Sequence, residues 1–253
     1  MLRWKEERQG ETALLIEGAR RIGKSTIVEE FAKNEYSSYI LVDFSKTATE
    51  INDLFNDLSD LNYIFLRLQL NYNVSLEERK SLIIFDEVQN NPKARQAIKH
   101  LVKDHRYDYI ETGSLISIRK NVQNIIIPSE ETRISMHPMD FEEFRWALGD
   151  NVTFTLLKTV LEQKQPLGEA IHRKLMRDFR LYMLVGGMPQ AVDKYIKTNN
   201  LSAVDTVKRD IIALYEEDLR KIDTSGKATA MFDAIPSQLS KNASRYTIST
   251  VIP

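Results

Sequence analysis

Ala13-Leu14-Leu15-Ile16-Glu17-Gly18-Ala19-Arg20-Arg21-Ile22-Gly23-Lys24-Ser25-Thr26 runs from an apolar strand candidate through a glycine-bounded loop into a segment with helical spacing. Gly18 to Ser25 fits the pattern G-x-x-x-x-G-K-[ST] without a mismatch. Such a loop wraps its backbone N–H groups around a phosphate, and Gly18 and Gly23 permit a backbone geometry and a close approach that side chains would obstruct. Lys24 is placed to reach the β- and γ-phosphates of a nucleotide, and the Ser25 hydroxyl to ligate Mg²⁺. A helix starting near Gly23 points its positive dipole end at the same anion. The candidate phosphate-binding set is Gly18, Ala19, Arg20, Arg21, Ile22, Gly23, Lys24, Ser25 and Thr26, with Arg20 and Arg21 placed to touch phosphate or Glu17.

With glycine at roughly 7% of residues, the bare pattern turns up by accident in about one chain in a hundred of this size. Context decides. Ala13 to Ile16 supplies the preceding strand, and Ile27, Val28 and Phe31 recur at helical spacing after the loop, as a strand–loop–helix unit requires.

A second informative stretch is Ser81-Leu82-Ile83-Ile84-Phe85-Asp86-Glu87-Val88-Gln89. Four apolar residues followed by two acids place both carboxylates at the carboxyl edge of a sheet, where ligands bind in open α/β folds. This is the Walker B arrangement. Asp86 is the candidate to hold Mg²⁺, and Glu87 the candidate base or water-orienting residue for attack on the γ-phosphate. Adjacent like charges are costly without a cation, so the metal and the acid pair explain each other.

The rest of the first half alternates in the same way. Residues 1–12 read as a short polar lead-in. Tyr39-Ile40-Leu41-Val42-Asp43 is a strand suited to burial on both faces, and Asn124-Ile125-Ile126-Ile127-Pro128 is a fifth strand candidate. Between about 47 and 72, Ile51, Leu54, Phe55, Leu58, Ile64, Phe65, Leu68 and Leu70 recur at helical spacing and read as core. Pro92 to Asp104 reads as a helix with proline near its start. Tyr107-Asp108-Tyr109-Ile110-Glu111-Thr112-Gly113-Ser114 reads as a strand ending in small polar residues, and Thr112 or Ser114 is the candidate sensor of the γ-phosphate. Strands alternating with helices argue for a parallel, helix-covered sheet.

From Ser129 the pattern changes. Thr132 to Met136 is a short extended segment, and Pro138 to Leu148 is helical, with Asp140 as N-cap and Glu143 as its capping-box partner. Phe154–Leu161, Ala170–Val185, Pro189–Ile196 and Leu201 to about Leu219 have helical spacing only, and Gly186-Gly187-Met188-Pro189 offers a sharp bend. The expected organisation is a nucleotide-binding domain over residues 1–138 and a helical lid or effector region over 139–253.

At 253 residues and 42% hydrophobic, the chain can bury one substantial core and a second, smaller one. The absence of cysteine excludes a disulfide framework and thiolate metal sites. The four histidines, His100, His105, His137 and His172, have no ligand spacing. No apolar run approaches a membrane span and the start lacks an apolar targeting segment, so a cytoplasmic location without a membrane partner is the default expectation. A net charge of −1 gives no bulk attraction to nucleic acid.

Taken together, these stretches resemble the bacterial AAA-type ATPases that pair an N-terminal AAA domain with a C-terminal domain of unknown function. Gly18 to Ser25, Ile83 to Gln89, Glu111 to Ser114, Ile127 to Glu131, Pro138 to Phe144 and Gly186 to Pro189 carry the resemblance across nearly the whole chain. It implies an α/β P-loop NTPase of three layers, the AAA or ASCE type with strand order 5-1-4-3-2, together with the catalytic-glutamate chemistry of that superfamily. It also implies an arginine finger from a neighbouring subunit of a homo-oligomer, for which Arg119 and Arg133 are candidates beside ordinary surface or ion-pair roles. Family members run on into a winged-helix and nuclease-like part, whereas this chain stops at Ser249-Thr250-Val251-Ile252-Pro253, the interior of a domain by its pattern. A shortened chain or a natural short form is expected.

Three functions follow from these residues. The first is an ATPase in which bound ATP and Mg²⁺ drive motion of a partner. The second is a slow-turnover nucleotide-dependent switch holding ATP or ADP. A small-molecule kinase ranks third, because Asp86-Glu87 suits water activation and no arginine-rich lid is evident. What the chain acts on, DNA, a protein or a target in defence, stays open at the level of sequence.

Overall fold

The computed structural model describes residues 1–114, 129–240 and 245–252. Among the described residues there are five strands: β1 (Ala13–Gly18), β2 (Ser38–Asp43), β3 (Ser81–Asp86), β4 (Asp108–Ser114) and β5 (Glu131–Met136). They form one sheet in the order β2-β3-β4-β1-β5, with every neighbouring pair parallel. This is the expected 5-1-4-3-2 order read from the other edge. Among the described residues the fifth strand is Glu131–Met136; the expected run at 124–128 lies outside the described residues. Thr132–Met136, which the sequence marks only as extended, pairs with β1 along its length, from Thr132 opposite Leu14 to Met136 opposite Gly18.

Alternate residues of each strand point to opposite faces, and the two faces build separate cores. On one, Leu14, Ile16, Leu82, Ile84 and Ile110 meet Trp4 of α1 (Leu2–Arg8) and Val28, Phe31 and Ala32 of α2 (Lys24–Glu35). On the other, Ala13, Ile83, Phe85 and Tyr109 meet α3 (Thr49–Asp53), α4 (Leu61–Tyr72) and α5 (Pro92–Asp104). Phe44, Phe55 and Phe85 interlock edge to face there, with ring centroids 5.2 to 5.8 Å apart.

Two details differ from the periodicity. The 47–72 stretch is not continuous helix: α3 passes into a 3₁₀ turn at Leu54–Asn56, and Asp60 starts α4 by accepting from the Tyr63 N–H at 3.1 Å. Leu70 and Ile27, expected on apolar faces, are 69% and 44% exposed, since each lies just off the stripe its helix turns to the sheet.

Gly18 is needed for space. A Cβ there would lie 2.3 Å from the backbone oxygen of Met136 and 2.7 Å from Ile22 Cδ1, so β5 approaches β1 closely only because the side chain is missing. Gly23 is needed for conformation, with φ 92° at the N-cap of α2.

A charged cluster is buried on the α5 face of the sheet. Arg95 of α5 donates through Nε and Nη2 to Glu131 of β5 at 3.1 to 3.3 Å, and both side chains are almost fully buried. Glu111 of β4 is completely buried beside them, next to the Glu131 carboxylate. Burial first, and then the neighbouring Glu131 carboxylate, push the Glu111 carboxyl well above its ordinary value, against the pull of Arg95 and Arg133. Both Arg95 donors are directed at Glu131, so Glu111 lacks the cationic partner that would offset its burial.

The contacts divide the chain into two compact units, Met1–Pro138 and Met139–Pro253. The second is helical: α6 (Phe141–Ala147), α7 (Thr153–Glu162), α8 (Glu169–Val185), α9 (Pro189–Thr198), α10 (Leu201–Ile222), α11 (Lys227–Asp233) and α12 (Ile235–Leu239). Asp140 and Glu143 form the expected capping box, with reciprocal bonds of 2.8 and 2.9 Å. Phe144, Val185, Ala191, Val192 and Val204 make its small core. Buried Arg145 bridges Asp178 and Asp150, tying α6 to α8 and to the start of α7. At the glycine bend, Gly187 lets the chain touch Met139, whose carbonyl oxygen would lie 2.1 Å from a Cβ. No helix among the described residues is long and apolar enough to cross a membrane.

Two stability outcomes are expected. Gly18→Ala forces β1 and β5 apart and costs about 1–3 kcal/mol in a denaturant melt, the usual range for overpacking. For Glu111, the folded state holds its proton to higher pH than the unfolded chain, so its contribution is complete below the ordinary carboxyl range and is lost as pH rises through the elevated folded value. Glu111→Gln abolishes that titration, and its melting temperature gains on the parent's as pH is raised from 4 to 8. A constant difference across that range would show that Glu111 does not titrate this way.

Candidate functional site

The carboxyl edge of the sheet gathers side chains from three separated stretches. β1 ends at Gly18, the loop follows, and α2 begins at Lys24, so Lys24 and Ser25 occupy the first turn of a helix of 12 residues. β3 delivers Asp86 and β4 delivers Thr112, both on the face that α2 covers. All six residues of β3 and all seven of β4 are buried, which fixes the position of these polar ends.

Asp86 is the meeting point. Its Oδ1 accepts from Ser25 Oγ at 2.8 Å and also from Thr112 Oγ1. Thr112 Oγ1 in turn accepts the Glu87 N–H at 3.4 Å. Glu87 has a left-handed backbone, φ 53° and ψ 45°, and opens a 3₁₀ turn over Val88–Asn90. Its carboxylate accepts from the Gln89 side-chain amide.

Lys24 is buried and donates to the carbonyls of Ala19 at 2.8 Å and Gly18 at 3.2 Å. Burial lowers its affinity for the proton, Glu87 and Asp86 raise it, and Arg20 lowers it again, with the sum below the ordinary lysine value. Within the loop, Ala19 and Arg20 are half-buried. Arg21 is exposed in a left-handed backbone with φ 66°. Ile22 is buried and anchors the loop, and Thr26 is exposed on α2.

Of the two sensor candidates, Thr112 is the one bonded to Asp86, while Ser114 lies at the end of β4 level with Gly18. Glu17, a suggested partner of the loop arginines, meets Ser135 Oγ at 3.5 Å. Arg133 is on β5 with its Nε 3.2 Å from Glu131, in the ion-pair role, and Arg119 lies outside the described residues. Sequence reasoning did not single out Gln89. It stands in the quoted acidic stretch, but only the turn after Glu87 brings its amide back onto the carboxylate.

Residues 10–145 match the family described as AAA domain, and residues 176–252 match a domain of unknown function (DUF8612). No curated protein matches the chain. Solved structures similar to it include C. elegans PCH-2, with 11% identity over 80% of this chain and 62% of that one and a TM-score of 0.42. Drosophila ORC bound to DNA gives 15% identity over 97% and 67% of the two chains, with a TM-score of 0.44. The Aeropyrum pernix ORC1 protein in complex with DNA gives 11% identity over 99% and 79%, with a TM-score of 0.43. The chain thus spans less than two thirds of the PCH-2 chain it matches. With the family match extending over more than half of its length, and with this strand order and glycine-bounded loop, the chain belongs to the AAA domain family.

Proposed function

We propose that the chain is an ATPase that binds ATP with Mg²⁺ and couples its hydrolysis to motion of a partner or of its own helical region. In this reading residues 1–138 are the nucleotide-binding domain and 139–253 the effector region. The observation that carries the proposal is the convergence of Lys24, Ser25, Asp86, Glu87 and Thr112, drawn from three stretches of sequence, at the N-terminus of α2.

These residues fit the ligand. Ser25 Oγ and Asp86 Oδ1, 2.8 Å apart, are hard oxygen donors of the kind Mg²⁺ takes. They would hold the ion, which supplies charge neutralisation at the phosphate oxygens when bound. Lys24 leaves the two loop carbonyls for phosphate oxygens, helped by the N–H groups of the loop and the first turn of α2. Glu87 orients the attacking water and accepts its proton as the new P–O bond forms and the bond to the ADP oxygen breaks. Thr112 fixes Asp86 through its hydroxyl and Glu87 through its backbone.

A slow-turnover switch is the second reading. It is favoured by the internal partners that Lys24 and Ser25 already have, the loop carbonyls for Lys24 and the Asp86 carboxylate for Ser25. Ligand binding has to exchange those bonds.

Phosphate release and nucleotide binding separate the roles. Glu87→Gln is expected to keep ATP affinity and to lose roughly 10²-fold or more in phosphate release, the scale of a missing general base; unchanged release would remove Glu87 from the chemistry. Lys24→Ala is expected to abolish binding of a fluorescent ATP analogue, and undiminished binding would refute the loop assignment. Tight binding with turnover slower than about one per hour in the parent protein would select the switch.

A further inference from the structure

We infer that Gln89 is a positioning residue for Glu87, and that its side-chain amide sets the orientation from which the Glu87 carboxylate acts on water. The inference rests on the ATPase reading above and adds to it a residue outside the loop, the acid pair and the sensor. Glu87 lies where the chain leaves β3, and its side chain is more exposed to solvent than those of the strand behind it. A carboxylate on such a turn has free rotation about its side-chain bonds unless something holds it. Gln89 supplies the hold: its Nε2 donates to Glu87 Oε2.

The donor is itself held. Gln89 is only 8% exposed, and its neighbour Val88 is fully buried in the α5-side core. The turn is closed by the Asn90 N–H on the Glu87 carbonyl at 2.9 Å and the Asn91 N–H on the Val88 carbonyl at 3.0 Å. Asn91 then fastens the far end. Its Oδ1 accepts the Ala94 N–H at 3.0 Å as the cap of α5, and its Nδ2 donates to the Asn52 carbonyl at 3.1 Å. At the near end the Glu87 N–H is fixed on Thr112 at 3.4 Å. Glu87 is therefore oriented from its backbone by β4 and from its carboxylate by Gln89, and the left-handed backbone at Glu87 is what folds the two side chains toward each other. A catalytic group gains from such support because small misplacements cost large factors in rate.

The test uses two variants of the full chain. Gln89→Glu keeps the shape and replaces the donor with a second carboxylate, and Gln89→Leu removes polarity altogether. Both are expected to lower kcat for ATP hydrolysis at least tenfold with KM for ATP changed by less than about twofold, since an interaction made for the transition state moves kcat and not ground-state binding. In a Glu87→Gln background neither substitution should lower the residual rate further, because the two residues act as one unit. The isosteric variant reads the role even if Gln89→Leu fails to fold. A folded Gln89→Glu protein with kcat within twofold of the parent, or above it, overturns the assignment, as does an equal loss in the Glu87→Gln background. If the parent protein itself releases no phosphate, the ATPase reading fails and this inference with it, whereas parental turnover with an unaffected variant overturns the positioning role alone.

Discussion

The buried carboxylate of Asp86 constrains the arrangement of the first unit. A charged group at the end of an entirely buried strand has to be met by donors, because an unsatisfied buried charge is among the most expensive features a fold can carry. The donors are two hydroxyls, Ser25 from the first turn of α2 and Thr112 from β4. Meeting that demand requires β3 to lie beside β4 and β1 to lie on its far side, so that the helix leaving β1 covers the same face. The order β2-β3-β4-β1-β5 satisfies the requirement, and the glycine-bounded loop is the short connection that allows it.

β4 links the two faces of the sheet. Thr112 points to the α2 side and joins Asp86 and Glu87, while Glu111, the residue before it, points to the α5 side and lies against Glu131 and Arg95. One face thus carries groups that bond one another, and the other carries a buried carboxyl whose hold on its proton is strengthened by its surroundings. Arg95, donating twice to Glu131, ties α5 to the edge strand, and Gly18 allows that strand to press against β1. The position of the edge strand therefore rests on a missing side chain and a buried ion pair, with little apolar burial of its own.

The second unit follows a different balance. Its apolar core is small, and buried Arg145 between Asp178 and Asp150 supplies directional contacts that a few aliphatic side chains cannot. Ion pairs of this kind define geometry more than they add stability, since the desolvation of both partners offsets much of their attraction. Close backbone contact at Gly187 and the Tyr182 hydroxyl on the Met139 carbonyl at 2.9 Å hold the entry to α6 against the bend after α8.

The sequence by itself determined the parts written in local pattern. The loop, the acid pair after β3, the capping box at Asp140 and the proline start of α5 each depend on residues within one or two turns of chain, and spacing reports such relations directly. Tertiary structure alone decided what depends on strands meeting across long intervals. β5 is a mixed, partly exposed segment whose strand identity comes from pairing with β1, which its own residue pattern marks only as extended. Thr112, and not Ser114, reaches Asp86 because parallel register places it on the α2 face at the right height. Gln89 meets Glu87 only through a left-handed turn that composition does not announce, and the Glu111 carboxyl is pushed upward because burial and a second carboxylate surround it. Apart from the Gln89 turn, which hangs on one backbone conformation, the deciding quantity is a distance between residues far apart in the chain or a solvent exposure, and neither is a property of the local sequence.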